Sequence, residues 1–338
     1  MEAATLSAPG GGRSLDERSP SARRADPAFK AVLTVLAAGI LALIVFFFVL
    51  LAYQSRTVFQ SQGILGFAFG NDWDAQHQIY RALPLLVGSL ITAALALLIG
   101  VPVAVATALY VTELCPRRLR TPLTIAVELL AAVPSVVYGL WGVFVLIPKL
   151  GPIERWISDT FSFVPFIGGG TVGLYNYFIA GLLLAIMILP IVSAISREVM
   201  STVPSEHKEA AFALGATRWE MIRMAVLPYS RAGITGAAML GLGRAIGETI
   251  AVTLVIGNAP SIGKHLFEPG YTLAAVIASE FGEAFATPIH RSALIAAGLL
   301  LFVVTLIVNA AARAFVRRSH ATRTPGGSVA VGTVGAAA

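Results

Sequence analysis

The sequence predicts an all-α integral membrane protein with six transmembrane helices, and three observations support this. Of its 338 residues, 57% are hydrophobic and only 12% are charged, about half the charged share of a soluble domain. The mean hydropathy is +0.80. The apolar residues gather into stretches of about twenty, the length that spans about 30 Å of hydrocarbon. Lysine and arginine are unequally divided between alternate connections. The net charge of +6 does not point to nucleic acid, because no aromatic-interleaved basic patch accompanies it.

The spans are predicted at 31–53, 85–111, 123–147, 177–195, 232–256 and 293–312. Residues 1–28 are rich in Gly, Ser, Arg and Asp without apolar periodicity and read as a disordered cytoplasmic tail, as do 316–338. The first apolar run is too long for the core of a cleaved leader. Residues 29–84 then form the first span and an outer loop, and 85–315 form the main membrane domain. Pro102 and Pro134 fall inside spans, which is tolerable where neighbouring helices resupply the lost backbone partners. Gly233, Gly236, Gly241 and Gly243 allow close helix approach.

Orientation follows from the basic residues. Of the 24, Arg56, Arg81, Lys149, Arg155, Lys264 and Arg291 lie in one set of connections, and Arg244 lies within a span. All the others lie in the tails and the alternate connections. Both termini are therefore expected in the cytoplasm, together with the polar stretch 209–228. The outer loops, about 54–84, 148–176 and 257–292, carry Phe67, Phe69, Trp73, Phe161, Phe163 and Phe166. These aromatics serve as interface anchors or as a landing surface for an external protein, and both readings stay open.

Stretch 209–228 reads as two short helices with a break. Ser205, after Pro204, is the expected N-cap of the first, which Gly215 stops. Thr217 and Glu220 have capping-box spacing for the second, and Pro228 is expected to close it. This is too little chain for a globular domain and suits a protruding elbow that docks on a partner.

Arg244 lies near the middle of the fifth predicted span, with Glu248 at i+4 on the same helical face. Ionisable groups at this depth are costly unless paired or wet, so they point to function. The plainer reading is a self-neutralising pair, but base-before-acid is the less favoured order at this spacing. Glu128 in the third span is read as a partner for Arg244, another gate group, or a structural hydrogen-bond acceptor. A guanidinium fork matches phosphate oxygens, and a nearby carboxylate would keep an anion from binding too tightly.

Glu209-Ala210-Ala211, then Gly215, then Leu227-Pro228 resembles the "EAA" loop of bacterial ABC importer permeases; Ala225 stands where that family often has Ile. The resemblance implies an ABC type I importer (MetI-like) permease core over 85–315, preceded by one extra N-terminal helix. It also implies a coupling loop at 205–228 seated in a cleft of a cytoplasmic ATPase, with Glu209, Ala210, Ala211, Gly215, Thr217, Arg218 and Pro228 as coupling residues. The segment from Gly243 through Glu248 to Val252 and the segment from Glu128 through Pro134 to Gly142 are similar to the fifth- and third-helix signatures of phosphate-specific transporter permeases. The Ala-Val after Glu-Thr, the early Phe-Gly and Trp73 favour the PstC-type subunit. This implies Arg244, Glu248 and Glu128 along the substrate path. The implied partners are a PstA-type permease, two copies of a PstB-type ATPase, an extracytoplasmic PstS-type phosphate-binding protein, inorganic phosphate and the bilayer.

No Gly-x-x-x-x-Gly-Lys-Ser/Thr loop is present, so no cofactor is expected on this chain, and ATP and Mg belong to the partner ATPase. The chain is not expected to be an enzyme. Cys115 is the only cysteine, and the five histidines read as ordinary polar positions. A permease for sulfate or molybdate, and an ion-gradient transporter, are the alternatives. The second usually shows inverted repeats and discontinuous helices, neither evident in the sequence.

Overall fold

A computed structural model describes residues 20–321. The tails predicted at 1–28 and 316–338 lie largely outside these residues, although helix extends from Pro20 and on to Ala321 within them. The chain divides into two compact units at Tyr53–Gln54. The first contains α1 (Pro20–Gln54) up to Tyr53. From Phe29 to Val49 its side chains are exposed all round within that unit. A helix that is apolar on every face suits lipid, because its backbone bonds are satisfied internally.

The second unit opens with α2 (Arg56–Gln62), α3 (Ile64–Phe69) and a ribbon of β1 (Trp73–Asp74) and β2 (Ile79–Tyr80). In the ribbon, Trp73 pairs antiparallel with Tyr80. The long helices follow: α4 (Leu83–Leu109), α5 (Arg117–Ala132), α6 (Ser135–Trp141), α7 (Ile147–Thr160) and α8 (Tyr177–Ser201). Then come α9 (Ser205–Ala213), α10 (Arg218–Met221), α11 (Leu227–Gly247), α12 (Ile250–Val255), α13 (Leu273–Glu280) and α14 (Pro288–Ala321). Wide π-type turns at Tyr110–Leu114, Gly142–Leu146 and Ile222–Val226 carry the helical path on at three places.

Among the described residues, five stretches are long and apolar enough to cross a membrane: Phe29–Gln54, Leu83–Leu114, Ser135–Thr160, Tyr177–Ser201 and Pro288–Ala314. The predicted third span, 123–147, straddles a break. Pro134 has no N–H and disfavours helical geometry at Val133, which is extended with ψ 126°. Pro102, by contrast, sits within unbroken α4. The predicted fifth span, 232–256, is also broken, between α11 and α12 at Glu248 and Thr249.

Helices α4, α8 and α11 form the core of this unit, with Leu183, Leu184, Ile188 and Val192 of α8 buried between the other two. In lipid, such packing depends on close van der Waals fit, and small residues permit it. A methyl placed on Gly100 of α4 would lie 2.9 Å from Ile188 Cγ1, and one on Gly241 of α11 would lie 2.8 Å from Val192 Cγ2. Gly236 and Gly243, predicted to do the same, face no neighbour. At one end a second cluster gathers Trp73, Tyr80, Leu85, Tyr271 and Leu294. A third cluster joins Ala108 and Met200 to Ala211, Met221 and Val226, so the elbow has its own small core.

Candidate functional site

The elbow is built much as its residues dictate. Helix α9 begins at Ser205, but Pro204 occupies the N-cap position and no side chain caps it, which corrects the expected role of Ser205. Gly215 ends the turn at φ +82°, a left-handed conformation that costs a residue with a Cβ. Thr217 and Glu220 form the reciprocal capping box: the Glu220 carboxylate accepts from the Thr217 backbone N–H at 2.7 Å, and the Glu220 N–H donates to Thr217 Oγ1 at 3.3 Å. The Thr217 backbone N–H and hydroxyl, both donating to that carboxylate, hold the Glu220 carboxyl below the usual carboxylate range.

Pro228 does not close the second helix. It lies at the start of α11, where the wide turn Ile222–Val226 carries the helical path on past the missing N–H. Of the predicted docking residues, Ala211 faces the small core, while Glu209, Ala210, Gly215, Thr217, Arg218 and Pro228 are exposed. Phe212, Leu214 (88% exposed), Trp219 and Met224 are exposed beside them. Lys208 fixes the elbow to the rest of the unit through Glu113, with Nζ to Oε1 at 2.6 Å. Sequence reasoning missed this pair, because the two residues are 95 positions apart.

The second group of residues surrounds the two helix breaks. Arg244 lies in the last turn of α11, and the helix ends at Gly247. Glu248 is extended (φ −71°, ψ 131°), so it does not share a helical face with Arg244 as the i+4 spacing predicted. Among the described residues neither forms an ion pair or hydrogen bond with the other. Arg244 is exposed, on a face of α11 that also presents Gly236, Leu240 and Gly247 and that no other part of this unit covers. The carbonyl end of α11 favours a cation there.

Glu128 is likewise not the partner of Arg244: Arg197 Nη2 of α8 donates to it at 2.7 Å. Arg197, read as part of a connection, is in fact helical. The short segments beyond the breaks, α6 and α12, pack together. A methyl on Gly139 would lie 3.1 Å from Ala251 Cα. Tyr138 donates its hydroxyl to the Leu130 carbonyl at 2.8 Å, bridging the first break, and lies within electrostatic range of Arg244. Discontinuous helices are therefore present, and the sequence-based reason for setting aside an ion-gradient transporter does not hold.

A third polar cluster was not foreseen. Glu280 accepts from Trp73 Nε1 at 3.1 Å and lies 2.9 Å from His290 Nε2. His290 is buried and stacks on Tyr80 with ring centroids 5.3 Å apart, so it is not an ordinary polar position. Burial pushes the neighbouring Tyr271 hydroxyl up to about 12. No local spacing signals a cluster assembled from four separate elements.

The profile of the family described as "Binding-protein-dependent transport system inner membrane component" matches residues 100–320. The chain is 42% identical over 313 residues to a phosphate transport system permease protein PstC of Xylella fastidiosa, covering 91% of this chain and 94% of that protein. It is 44% identical over 268 residues to the PstC of Mesorhizobium japonicum, covering 78% and 82%. It is 51% identical over 228 residues to PstC 2 of Mycobacterium tuberculosis, covering 65% and 68%. Among solved structures, a bacterial alginate ABC transporter in complex with an alginate pentasaccharide-bound periplasmic protein aligns with a TM-score of 0.54 at 20% identity. That alignment covers 84% of this chain and 94% of the transporter chain, and at this identity it speaks for the fold alone. With several apolar helices and this match, the protein is a multi-pass membrane protein, and family membership rather than helix continuity argues against the ion-gradient reading. The chain belongs to the binding-protein-dependent transport system inner membrane component family, in its PstC-type branch.

Proposed function

We propose that this chain is the permease subunit of an ATP-driven inorganic phosphate importer and that it forms half of the translocation pore with a PstA-type permease. The observation that carries this reading is the 42% identity to a PstC-named permease across 91% of the chain. The open face of α11 suits such a pairing, because Gly236, Gly243 and Gly247 permit close approach of another helix. Arg244 on that face has guanidinium donors with no hydrogen-bond partner among the described residues, free to be offered to a passing anion. Glu248, one turn on and outside the helix, sets the limit on anion retention, and Glu128 holds Arg197 rather than the anion.

The 205–228 elbow docks into a PstB-type ATPase, which binds ATP and Mg and hydrolyses the nucleotide, so this subunit is not itself catalytic. The exposed Phe212, Leu214, Trp219 and Met224 supply the apolar contact, and Glu209 and Arg218 supply the charged rim. Both termini and the elbow are cytoplasmic, as the basic residues direct. A PstS-type binding protein delivers phosphate at the opposite end.

The test is the reconstituted assembly in proteoliposomes, with ATP turnover and uptake followed for phosphate, sulfate and molybdate. Stimulation by phosphate alone supports the proposal. Equal stimulation by sulfate would make the chain a general oxyanion permease, and failure of any ATPase to co-purify would reject the ATP-driven reading.

A further inference from the structure

A pocket of about 330 Å³, whose lining does not include Arg244, lies between the turn Tyr110–Leu114, the start of α5 and the end of α8. Arg120, Arg197, Thr112, Thr121, Thr124 and Ser201 line it. We propose that this pocket binds a phosphate group, either free inorganic phosphate or the headgroup of an anionic phospholipid. The proposal rests on the permease reading only for which side of the membrane the pocket faces.

Two guanidinium groups from different helices face one space, and each keeps donors in hand. Arg120 is held by Nε to the Val111 carbonyl at 2.9 Å and by Nη2 to the Thr112 carbonyl, so its position is fixed while Nη1 has no partner among the described residues. Arg197 uses Nη2 on Glu128, and among the described residues its other N–H groups have no partner. The hydroxyls of Thr121 and Thr124 have no hydrogen bond among the described residues. Those of Thr112 and Ser201 already donate to the Ala108 and Glu198 carbonyls, so toward the pocket they offer lone pairs. This set has more donors than a single carboxylate can accept, and the tetrahedral oxygens of a phosphate suit it better. The two lone-pair hydroxyls can in turn accept from a protonated phosphate oxygen.

The local charge agrees. Glu198 also lines the pocket and Glu128 neutralises part of Arg197, but Arg117 and Arg118 lie exposed on the adjoining turn of α5, leaving an excess of positive charge. Helix α5 buries none of its own residues in this unit and carries exposed Leu119, Leu123, Ile125 and Leu129 next to the pocket. A phosphate on a lipid would sit at this apolar–basic boundary, whereas free phosphate needs only the polar half.

The experiment uses the full assembly in nanodiscs, with Arg244→Ala so that the pore arginine contributes no binding. One arm uses phosphatidylcholine discs and measures equilibrium binding of radiolabelled inorganic phosphate. The other uses discs containing phosphatidylglycerol and measures by mass spectrometry the lipid that survives extraction with the protein. In one arm, the Thr121→Val/Thr124→Val double variant is expected to lower occupancy at least about tenfold, the effect of losing even one hydrogen bond to a charged group. Arg197→Gln should do the same. A phosphate signal identifies the transported anion's inner site, and a lipid signal identifies a headgroup site. If neither ligand is retained, or if retention ignores both variants, the proposal fails, and the permease reading is untouched because uptake is not the readout.

Discussion

Lys208 of α9 places its ammonium 2.6 Å from the Glu113 carboxylate at the end of the α4 path, tying the elbow to a core helix. The Glu113 side chain is only 8% exposed, so removing the lysine strands a nearly buried charge. Lys208→Met should loosen the elbow by roughly 3–5 kcal/mol. ATP turnover should persist while uptake per ATP falls, and the swap Glu113→Lys with Lys208→Glu should restore part of the ratio. Unchanged stoichiometry in proteoliposomes would show that the pair does not couple the elbow.

Gly215 meets no neighbour, so its requirement is conformational rather than steric. Gly215→Ala should cost about 1–2 kcal/mol in the left-handed turn, and the β-branched Gly215→Val more. ATPase recovered with the purified permease should fall severalfold with Ala and nearly disappear with Val. Full recovery with Val would remove the turn from the docking site.

Glu220 titrates below the ordinary carboxylate range because the Thr217 amide and hydroxyl bind its charged form. A carboxyl depressed in the folded state stabilises above its unfolded value, about 4.3, and loses that contribution as pH falls through the folded value. The second helix should therefore be insensitive to pH between 5 and 8 and fray only below about 4. Trp219 emission, with Trp219→Phe as the blank, should report the change, and Glu220→Gln should flatten it. A transition near neutrality would contradict the cap.

Arg244→Ala should lower phosphate uptake by roughly ten- to a hundredfold, since a charge-assisted contact is worth about 1.5–3 kcal/mol. Arg244→Lys should retain a fraction of it, and assembly with the ATPase should be normal in both. Arg197→Gln, which releases Glu128 and removes a guanidinium from the α5–α8 pocket but leaves Arg244 in place, should have a much smaller effect on uptake. Equal losses at both positions would mean that the guanidinium at the helix break has no special role.

Glu280 gathers Trp73, His290 and Tyr271 at the end opposite the elbow. Trp73→Phe removes the indole donor while keeping an aromatic ring between Phe67 and Tyr80. It should cost about 1.5–3 kcal/mol, the range for hydrogen bonds to charged groups. Thermal unfolding of the assembly should shift down by a few degrees. No shift would mean that water replaces the indole.

What the sequence determined by itself was whatever local chemistry controls. Apolar run length and composition marked a membrane protein, and Gly215 with Thr217 and Glu220 drew the elbow, because a left-handed turn and a capping box are fixed within a few residues. The motifs from Glu128 to Gly142 and from Gly243 to Val252 located the two regions that the structure shows to be broken helices. Tertiary structure alone decided where the helices break and which charges meet. Pro134 breaks its span although Pro102 does not, since a missing N–H is tolerated only where the surrounding packing keeps the helical path. Arg244 and Glu248 are separated by the end of α11, while Glu128 finds Arg197, Glu113 finds Lys208 and Glu280 finds His290. These three carboxylates find partners across folded helices because a carboxylate in a low-dielectric setting is lowest in energy beside whichever cation or hydrogen-bond donor the packed helices bring within reach, however far along the chain it lies.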